Sequence, residues 1–419
     1  MEKVNAYLVI NAGSSSFKFS VYDMPYEKEL ANGNIQKIGL DDSYYSLKID
    51  GKKIEGKYNV KDHKQALSLM IKLLLENNII NSIDEIKGVG HRVLHGGEFY
   101  SDSVLINKEV MSNLIKLIPL GILHLPGQIA SIEGTKSLLP NVPMSAVFDT
   151  AFHQTIPEEN FIYPIPYEWY KKYSIRKYGF HGTSYKYITN KMKKILGKEN
   201  PNLIILHGGS GVSLAAIKNG KSFDTSMGLT PLDGTMMGTR SGSIDPSIVD
   251  FMVKTGKTID EVMNDLNKNS GFQGICGASD LRDVDALINN NDKNAVLAMR
   301  IYVKSIADYI IKYIFELEGN VDAVIFTAGV GENNIVVRKL VINELNKKIG
   351  KFIKIDLDEA ENNKIAGFKE KQSGIITTSN SDIPFFVVPT NEELMILTDT
   401  YQLIKEHEKN KSLQKKLYK

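Results

Sequence analysis

Two stretches of this 419-residue chain share one pattern, and that pattern limits what the chain can become. Leu8-Val9-Ile10 is a continuous apolar run, suited to a strand buried on both faces. Residues 11–16 break the run with turn formers, and Phe17, Phe19 and Val21 then alternate with Lys18, Ser20 and Tyr22. The order returns at Leu203-Ile204-Ile205-Leu206, the turn His207-Gly208-Gly209-Ser210-Gly211 and a strand over residues 212–217. Each stretch reads as a β-hairpin, and the two together read as related halves. Small turn residues let backbone N–H groups approach an anion, and Ser14, Ser16 and Lys18 add donors to the first turn. Phosphate binding and an ordinary polar turn both fit a motif this short.

The chain is too long for one ordinary core, so two domains or more are expected. Apolar residues make up 42% and charged residues 24%, as in a globular protein, and a formal charge of +2 gives no electrostatic argument for nucleic acid. The one cysteine, Cys276, excludes an intramolecular disulfide and any multi-cysteine metal site. The first residues enter a strand without a basic, cleavable leader, and no apolar run approaches the roughly 18 residues of a membrane span. The expectation is a cytoplasmic protein that engages neither membrane nor nucleic acid.

Residues 44–49 alternate as a strand before the Asp50-Gly51 turn, and residues 64–76 have the spacing of an amphipathic helix. A strand from Lys87 runs into Gly96-Gly97, and residues 142–148 form another that stops at Asp149. Asp245 caps a helix with Pro246 in its first position, Thr258-x-x-Glu261 is a capping box, and residues 296–317 form a long buried helix. Residues 323–326 and 385–388 are buried strands. Thr390-x-x-Glu393 is a second capping box, opening a helix that frays into a basic tail from Lys405.

Six of the eight histidines (His91, His95, His124, His153, His181 and His207) lie in glycine- or proline-punctuated motifs, where scaffolds present functional groups. His91-x-x-x-His95 lacks the helix and the following glutamate of a zinc-protease site, because Arg92 follows. Residues 224–246 hold four glycines, several hydroxyls and Arg240. With Arg92 and the strand-end acids Asp149 and Glu392, they suit phosphoryl transfer, which needs charge neutralisation, a hard cation and backbone donors. Glu393 is the capping-box acid, which leaves Glu392 the freer group.

The segments VINAGSSSFKFSVYD, GHRVLHGGE, VFDTAFHQTIP, YGFHGTSY, KNGKSFDTSMGLTPLDGTMMGTRSGSIDP, FTAGVGENN and VPTNEELMI cover nearly the whole chain. In this order they resemble the acetokinase family of the actin/hexokinase/Hsp70 (ASKHA) superfamily. The resemblance implies an α/β protein of two related domains, with mixed sheets flanked by helices and an active-site cleft between the domains. Domain I would be residues 1–150 with 388–419, and domain II residues 151–387, carrying the interface of a homodimer. The implied reaction is reversible transfer of a phosphoryl group from ATP to acetate, giving acetyl phosphate and ADP by in-line attack of the carboxylate. It depends on Mg2+, with Mn2+ as an alternative.

By the same resemblance Asn11 and Glu392 hold the metal, and Ser14, Ser16 and Lys18 form the first phosphate loop. Arg92 and Arg240 bind the acyl carboxylate and the transferring phosphoryl, Asp149 is the essential acid, and His181 steadies the transition state. His124 and His207 are further active-site histidines. Leu94, Leu123, Phe180 and Pro231 surround the acyl methyl. His207, Gly208, Gly209, Ser210 and Gly211 form the second phosphate loop. Asp280, Leu281, Arg282 and the run Gly329, Val330, Gly331, Glu332, Asn333 hold the adenosine. A kinase for propionate or another short acid is the near alternative. An ATPase of the superfamily that binds no acyl group is the remote one, and two arginines with an apolar pocket argue against it.

Three positions depart from the family pattern. Its proline-leucine-histidine-asparagine-proline run is here Ile122-Leu123-His124-Leu125-Pro126. Its histidine-leucine-glycine-asparagine-glycine loop is His207-Gly208-Gly209-Ser210-Gly211, and its aspartate-phenylalanine-arginine is Asp280-Leu281-Arg282. The first two remove amides from the site, so slower turnover is expected.

Overall fold

The opening hairpin forms as its alternation dictates. Strand β1 (Ala6–Ala12) pairs antiparallel with β2 (Ser16–Asp23), placing Asn11 opposite Lys18 and Ile10 opposite Phe19. The computed structural model describes residues 3–122, 124–365 and 373–417. It divides into two compact units, Met1–Phe152 with Asn391–Lys419, and His153–Thr390.

In the first unit β3 (Lys28–Gln36), β4 (Tyr44–Ile49) and β5 (Lys52–Lys57) extend the hairpin on one side. Strands β6 (Ile86–Val93), β7 (Val104–Leu105) and β8 (Met144–Phe148) extend it on the other, giving the order β5-β4-β3-β2-β1-β6-β8-β7. Period-two alternation sends Leu8, Ile10, Phe17 and Phe19 to one face, where Ala66, Leu67, Met70 and Leu74 of the helix His63–Glu76 meet them. Tyr7, Val9 and Tyr22 point to the other face and receive Ile396, Leu397 and Ile404 of the helix Glu392–Leu417. That helix comes close because β6 carries glycine beneath it. A Cβ on Gly90 would lie 2.4 Å from Thr400 Oγ1 and 2.8 Å from Ile396 Cγ2.

His91, beside Gly90 in the sheet, is buried, and burial pushes its imidazole down to about 3. The unfolded chain binds this proton near pH 6.5, so between about 6.5 and 3 the unfolded state holds more protons than the folded one. Stability therefore falls as the pH is lowered through this window, by about 1.4 kcal/mol per unit for this residue. Lowering the pH from 7.5 to 5 should cost wild type about 2 kcal/mol more than His91→Gln, read from denaturant midpoints. Equal shifts in the two proteins would refute a neutral buried His91.

The second unit repeats the plan. Strands β9 (Leu203–Gly208), β10 (Val212–Lys218) and β11 (Lys221–Thr225) are joined by β12 (Ala323–Thr327), β13 (Gly374–Ile375) and β14 (Phe385–Val387). Their order is β11-β10-β9-β12-β14-β13, with β12 parallel to both β9 and β14. The sub-order β3-β2-β1-β6-β8 of the first sheet matches β11-β10-β9-β12-β14 of the second, three antiparallel strands followed by two parallel ones. The repeated hairpin is thus the sequence-visible part of a repeated sheet. The Thr258 capping box forms in full, with Glu261 N–H donating to Thr258 Oγ1 and Thr258 N–H to Glu261 Oε2.

Asp245 caps as expected, its Oδ1 accepting from Ser247 N–H at 2.8 Å, and Pro246, in the right-handed helical conformation, leads into the helix Ser247–Lys254. Two other local expectations are corrected. The capping box at Thr390 does not form: Leu394 N–H donates to Asn391 Oδ1 (3.0 Å), so Asn391 is the cap. Tertiary partners take the other two groups, Thr390 Oγ1 bonding Ser184 Oγ at 2.8 Å and Glu393 Oε2 accepting from Ser20 Oγ at 2.7 Å. The basic tail does not fray at Lys405 but stays helical to Leu417, because no glycine or proline follows Pro389 to stop it. Among the described residues no helix is long and apolar enough to cross a membrane.

Candidate active site

The parallel register of the first unit brings three chemical groups to neighbouring strand ends. Ile10 pairs with His91, and His91 with Ala146, so Asn11, Arg92 and Asp149 emerge together at the carboxyl ends of β1, β6 and β8. Open α/β sheets present ligand sites at such ends. Asp149 is fixed by its own N–H, which bonds Val93 O at 3.0 Å. Arg92 grips it with two donors, Nε to Oδ1 at 2.9 Å and Nη2 to Oδ2 at 2.8 Å, while Nη2 also lies 3.4 Å from Glu392 Oε1. Burial disfavours the Arg92 charge, but Asp149 and Glu392 outweigh it and hold the guanidinium firmly protonated. Burial pushes the Asp149 carboxyl up, opposed by Arg92, and the two-donor pair keeps it a carboxylate at neutral pH.

Arg92 thus stands between the carboxylates of Asp149 and Glu392, and Asn11 adds a neutral oxygen donor at the same strand ends. This donor set suits a hard divalent cation. Among the described residues no group of three or more His, Cys, Asp or Glu is arranged to hold a metal. A cation at Asn11 and Glu392 would therefore complete its shell with water or phosphate oxygens, as Mg2+ commonly does.

The first turn is closed by Gly13 N–H donating to Ser16 O at 2.8 Å, with Ser14 and Lys18 exposed and Ser16 half-buried. His63 Nε2 lies 2.7 Å from Gly13 O and steadies the turn. Sequence reasoning missed this residue, since nothing in the sequence ties His63 to a turn fifty positions earlier. Leu94 is half-buried, its N–H bonded to Gln128 Oε1 at 3.0 Å. His124 takes the N-cap position of the helix Leu125–Leu138, and Leu123 lies outside the described residues. Leu125, the first departure from the family pattern, is fully buried in an apolar cluster with Val93, Leu114 and Ile132.

In the second unit the β9–β10 turn is closed by Gly209 N–H to Gly211 O at 3.0 Å, leaving Ser210 exposed. Gly208 packs closely on the run at Gly331, since a Cβ there would lie 3.3 Å from Gly331 N. His181 enters the helix Gly182–Leu196 in a left-handed conformation (φ 59°) and stacks on His207, ring centroids 4.0 Å apart. Arg240 Nη1 donates to Pro231 O at 3.2 Å, and burial lowers its pKa below the usual arginine value. Among the described residues Arg240 has no carboxylate partner. Phe180 is buried, and its carbonyl lies 3.0 Å from His153 Nε2. His153 is itself buried, and its imidazole is pushed down to about 4 mainly by burial.

Beside this turn opens a cavity of about 690 Å³. Of the expected adenosine and phosphate residues, Gly209, Ser210, Asp280, Leu281, Arg282, Gly329, Val330 and Asn333 line it. His207, Gly208, Gly211, Gly331 and Glu332 do not. Glu332 turns away, its Oε1 accepting from Ala328 N–H (2.9 Å) and Thr390 N–H (3.0 Å). Phe272, Tyr302, Ile335 and Val336 also line the cavity. Sequence reading missed them because Phe272 and Tyr302 sit where helical spacing looks like ordinary core. Arg282 grips Asp280 through Nε at 2.9 Å and Nη2 at 2.6 Å, and these bonds depress the Asp280 carboxyl to about 2.

A doubled sheet of this strand order, with a glycine-serine turn in the first hairpin of each half, is the architecture of the actin/hexokinase/Hsp70 class. Within that class the chain belongs to the acetokinase family, whose model matches residues 6–398. It is 46% identical over 400 residues to a Bacillus cereus protein named acetate kinase, covering 94% of this chain and 98% of that one. Among solved structures it resembles Porphyromonas gingivalis acetate kinase, with a TM-score of 0.88, 38% identity and coverage of 95% and 99%. A Francisella tularensis propionate kinase is as similar, with a TM-score of 0.88, 39% identity and the same coverage.

Proposed function

We propose that this protein transfers the terminal phosphoryl group of ATP to acetate, reversibly, as a cytoplasmic homodimer. Arg240 carries the reading: a half-buried guanidinium without a carboxylate partner among the described residues, beside a glycine-serine turn and a nucleoside-sized cavity. Such a cation is matched to an anion that arrives with the substrate. Acetate, with a pKa near that of other carboxylates, about 4–5, is already ionised at pH 7, so no general base is required. Charge is the obstacle, and Arg92, Arg240 and His181 supply fixed donors against it. Asp149 acts by orienting Arg92. A Mg2+ or Mn2+ ion held by Asn11 and Glu392 would offset phosphate charge when bound. The cavity takes the adenosine, with the phosphates toward Gly209 and Ser210.

A hydroxamate assay of acyl phosphate across acetate, propionate and butyrate, with ATP and Mg2+, tests the reading. Acid-dependent product is expected, highest with acetate. Leu94 narrows the acyl site relative to the valine common in the family, and one methylene discriminates by about 1–3 kcal/mol. A higher kcat/KM for propionate would instead favour the activity named for the Francisella relative. ATP hydrolysis unchanged by any short acid would overturn the proposal altogether.

The two missing amides have different consequences. Ser210 is exposed on the cavity wall, and an asparagine there would offer a two-proton donor to the phosphates. Ser210→Asn is expected to raise kcat about tenfold, the worth of one charge-assisted hydrogen bond made in the transition state. Unchanged kcat would mean that the loop already makes the contact through its backbone N–H groups. Leu125→Asn, by contrast, would bury an amide in the apolar cluster and cost about 2–4 kcal/mol of stability.

A further inference from the structure

His181 and His207 stack at 4.0 Å with an interplanar angle of 19°, and two imidazolium rings so placed would repel. At least one ring is therefore neutral, and a neutral imidazole donates from one nitrogen only. Which nitrogen donates decides whether His181 can serve an anion. The Nδ1 edge of His181 faces Ser213 Oγ at 2.8 Å, and Ser213 Oγ lies 2.5 Å from Tyr185 Oη. Ser213 and Tyr185 are fully buried. The other edge faces the turn: a Cβ on Gly211 would lie 3.4 Å from His181 Cε1, 3.5 Å from Nε2 and 3.4 Å from Arg240 Nη1. The Nε2 edge and the Arg240 guanidinium thus flank the same glycine.

We propose that Tyr185 and Ser213 form a hydroxyl relay that sets the tautomer of His181, placing the proton on Nε2 beside Arg240. Ser213 has one proton and stands between two partners, so it donates to one and accepts from the other. A phenol, with pKa near 10, is a far stronger donor than an alkyl hydroxyl, so Tyr185 donates to Ser213 across the short contact. Ser213 then donates to Nδ1, which must be bare, and the ring proton lies on Nε2. Ser213 and Tyr185 are positioning residues: neither faces the cavity nor reaches a reacting atom, and both act through His181. The sequence offered no sign of this, because Ser213 occupies an ordinary buried strand position and Tyr185 an ordinary helical one.

The inference rests on His181 serving the transferring phosphoryl group, so its test includes a readout that needs no activity. In 15N-histidine-labelled protein, with His181 assigned by its loss in His181→Asn, a protonated Nε2 and a bare Nδ1 are expected at pH 8. Ser213→Ala should lower kcat about tenfold, with KM for ATP and acid within about twofold, and should mix the two tautomers. Tyr185→Phe should mix the tautomers partly and lower kcat a few-fold. It removes no donor to Nδ1 and so serves as the second variant if Ser213→Ala fails to fold. A wild-type His181 protonated on Nδ1, or variants that keep both the tautomer and kcat, would overturn the relay. If no acid-dependent phosphorylation is found, the proposed function fails while the spectrum still decides the tautomer.

Discussion

Arg240→Ala is expected to lower kcat about 10²- to 10³-fold, the loss seen when one fixed transition-state donor is removed. The fold should survive. Arg240 spends one hydrogen bond on Pro231 O and one weak contact on Met237 Sδ (3.8 Å), and pairs with no carboxylate among the described residues. Its removal therefore strands no buried charge, and the stability change should stay within about 1 kcal/mol. Arg240→Lys should recover only part of the loss, since an ammonium cannot offer the planar two-donor fork. Circular dichroism and the hydroxamate assay on the three proteins check this. Near-full turnover of Arg240→Ala would make the arginine a structural prop for the loop.

What could be read from sequence follows the range of the forces involved. The hairpins at Leu8 and Leu203 were legible because a two-residue alternation and a small-residue turn are local signals. The parallel pairings of β6, β8, β12 and β14 were not, since their partners lie far apart in the chain and leave only apolar runs. That Arg92 and Asp149 would share two hydrogen bonds follows from the register of β6 on β8, which no motif spells out. The box at Thr390 failed for a related reason. Its local pattern was sound, but Ser184 and Ser20 offered partners hundreds of residues away, and Asn391 is an equally good cap. Leu125 shows the limit of reading a departure as a loss. Where the family pattern has an amide, this chain has a leucine that fills a core.

Arg92→Ala should do wider damage than Arg240→Ala, because it removes a cation that pairs with both Asp149 and Glu392. Breaking a buried pair on one side costs about 3–5 kcal/mol, most of it the penalty on the charge left behind. The pH dependence identifies that penalty. Burial and Glu392 push the Asp149 carboxyl up against Arg92 in the intact protein, and without Arg92 nothing among these groups opposes them, so it rises further above its unfolded value. The folded state then binds a proton that the unfolded state does not. The stability recovered by that proton is present at low pH and lost as pH rises through the raised value. Relative to wild type, Arg92→Ala should therefore be less destabilised at pH 5 than at pH 7.5. Adding Asp149→Asn removes the stranded charge and should restore most of the stability at pH 7.5, while turnover stays low because the donors proposed for Arg92 are still missing. Denaturant midpoints at both pH values, with kcat for the single and double variants, make the comparison. A double variant as unstable as Arg92→Ala, with no pH trend, would show that Arg92 acts through packing, and that the pair with Asp149 is not what organises these strand ends.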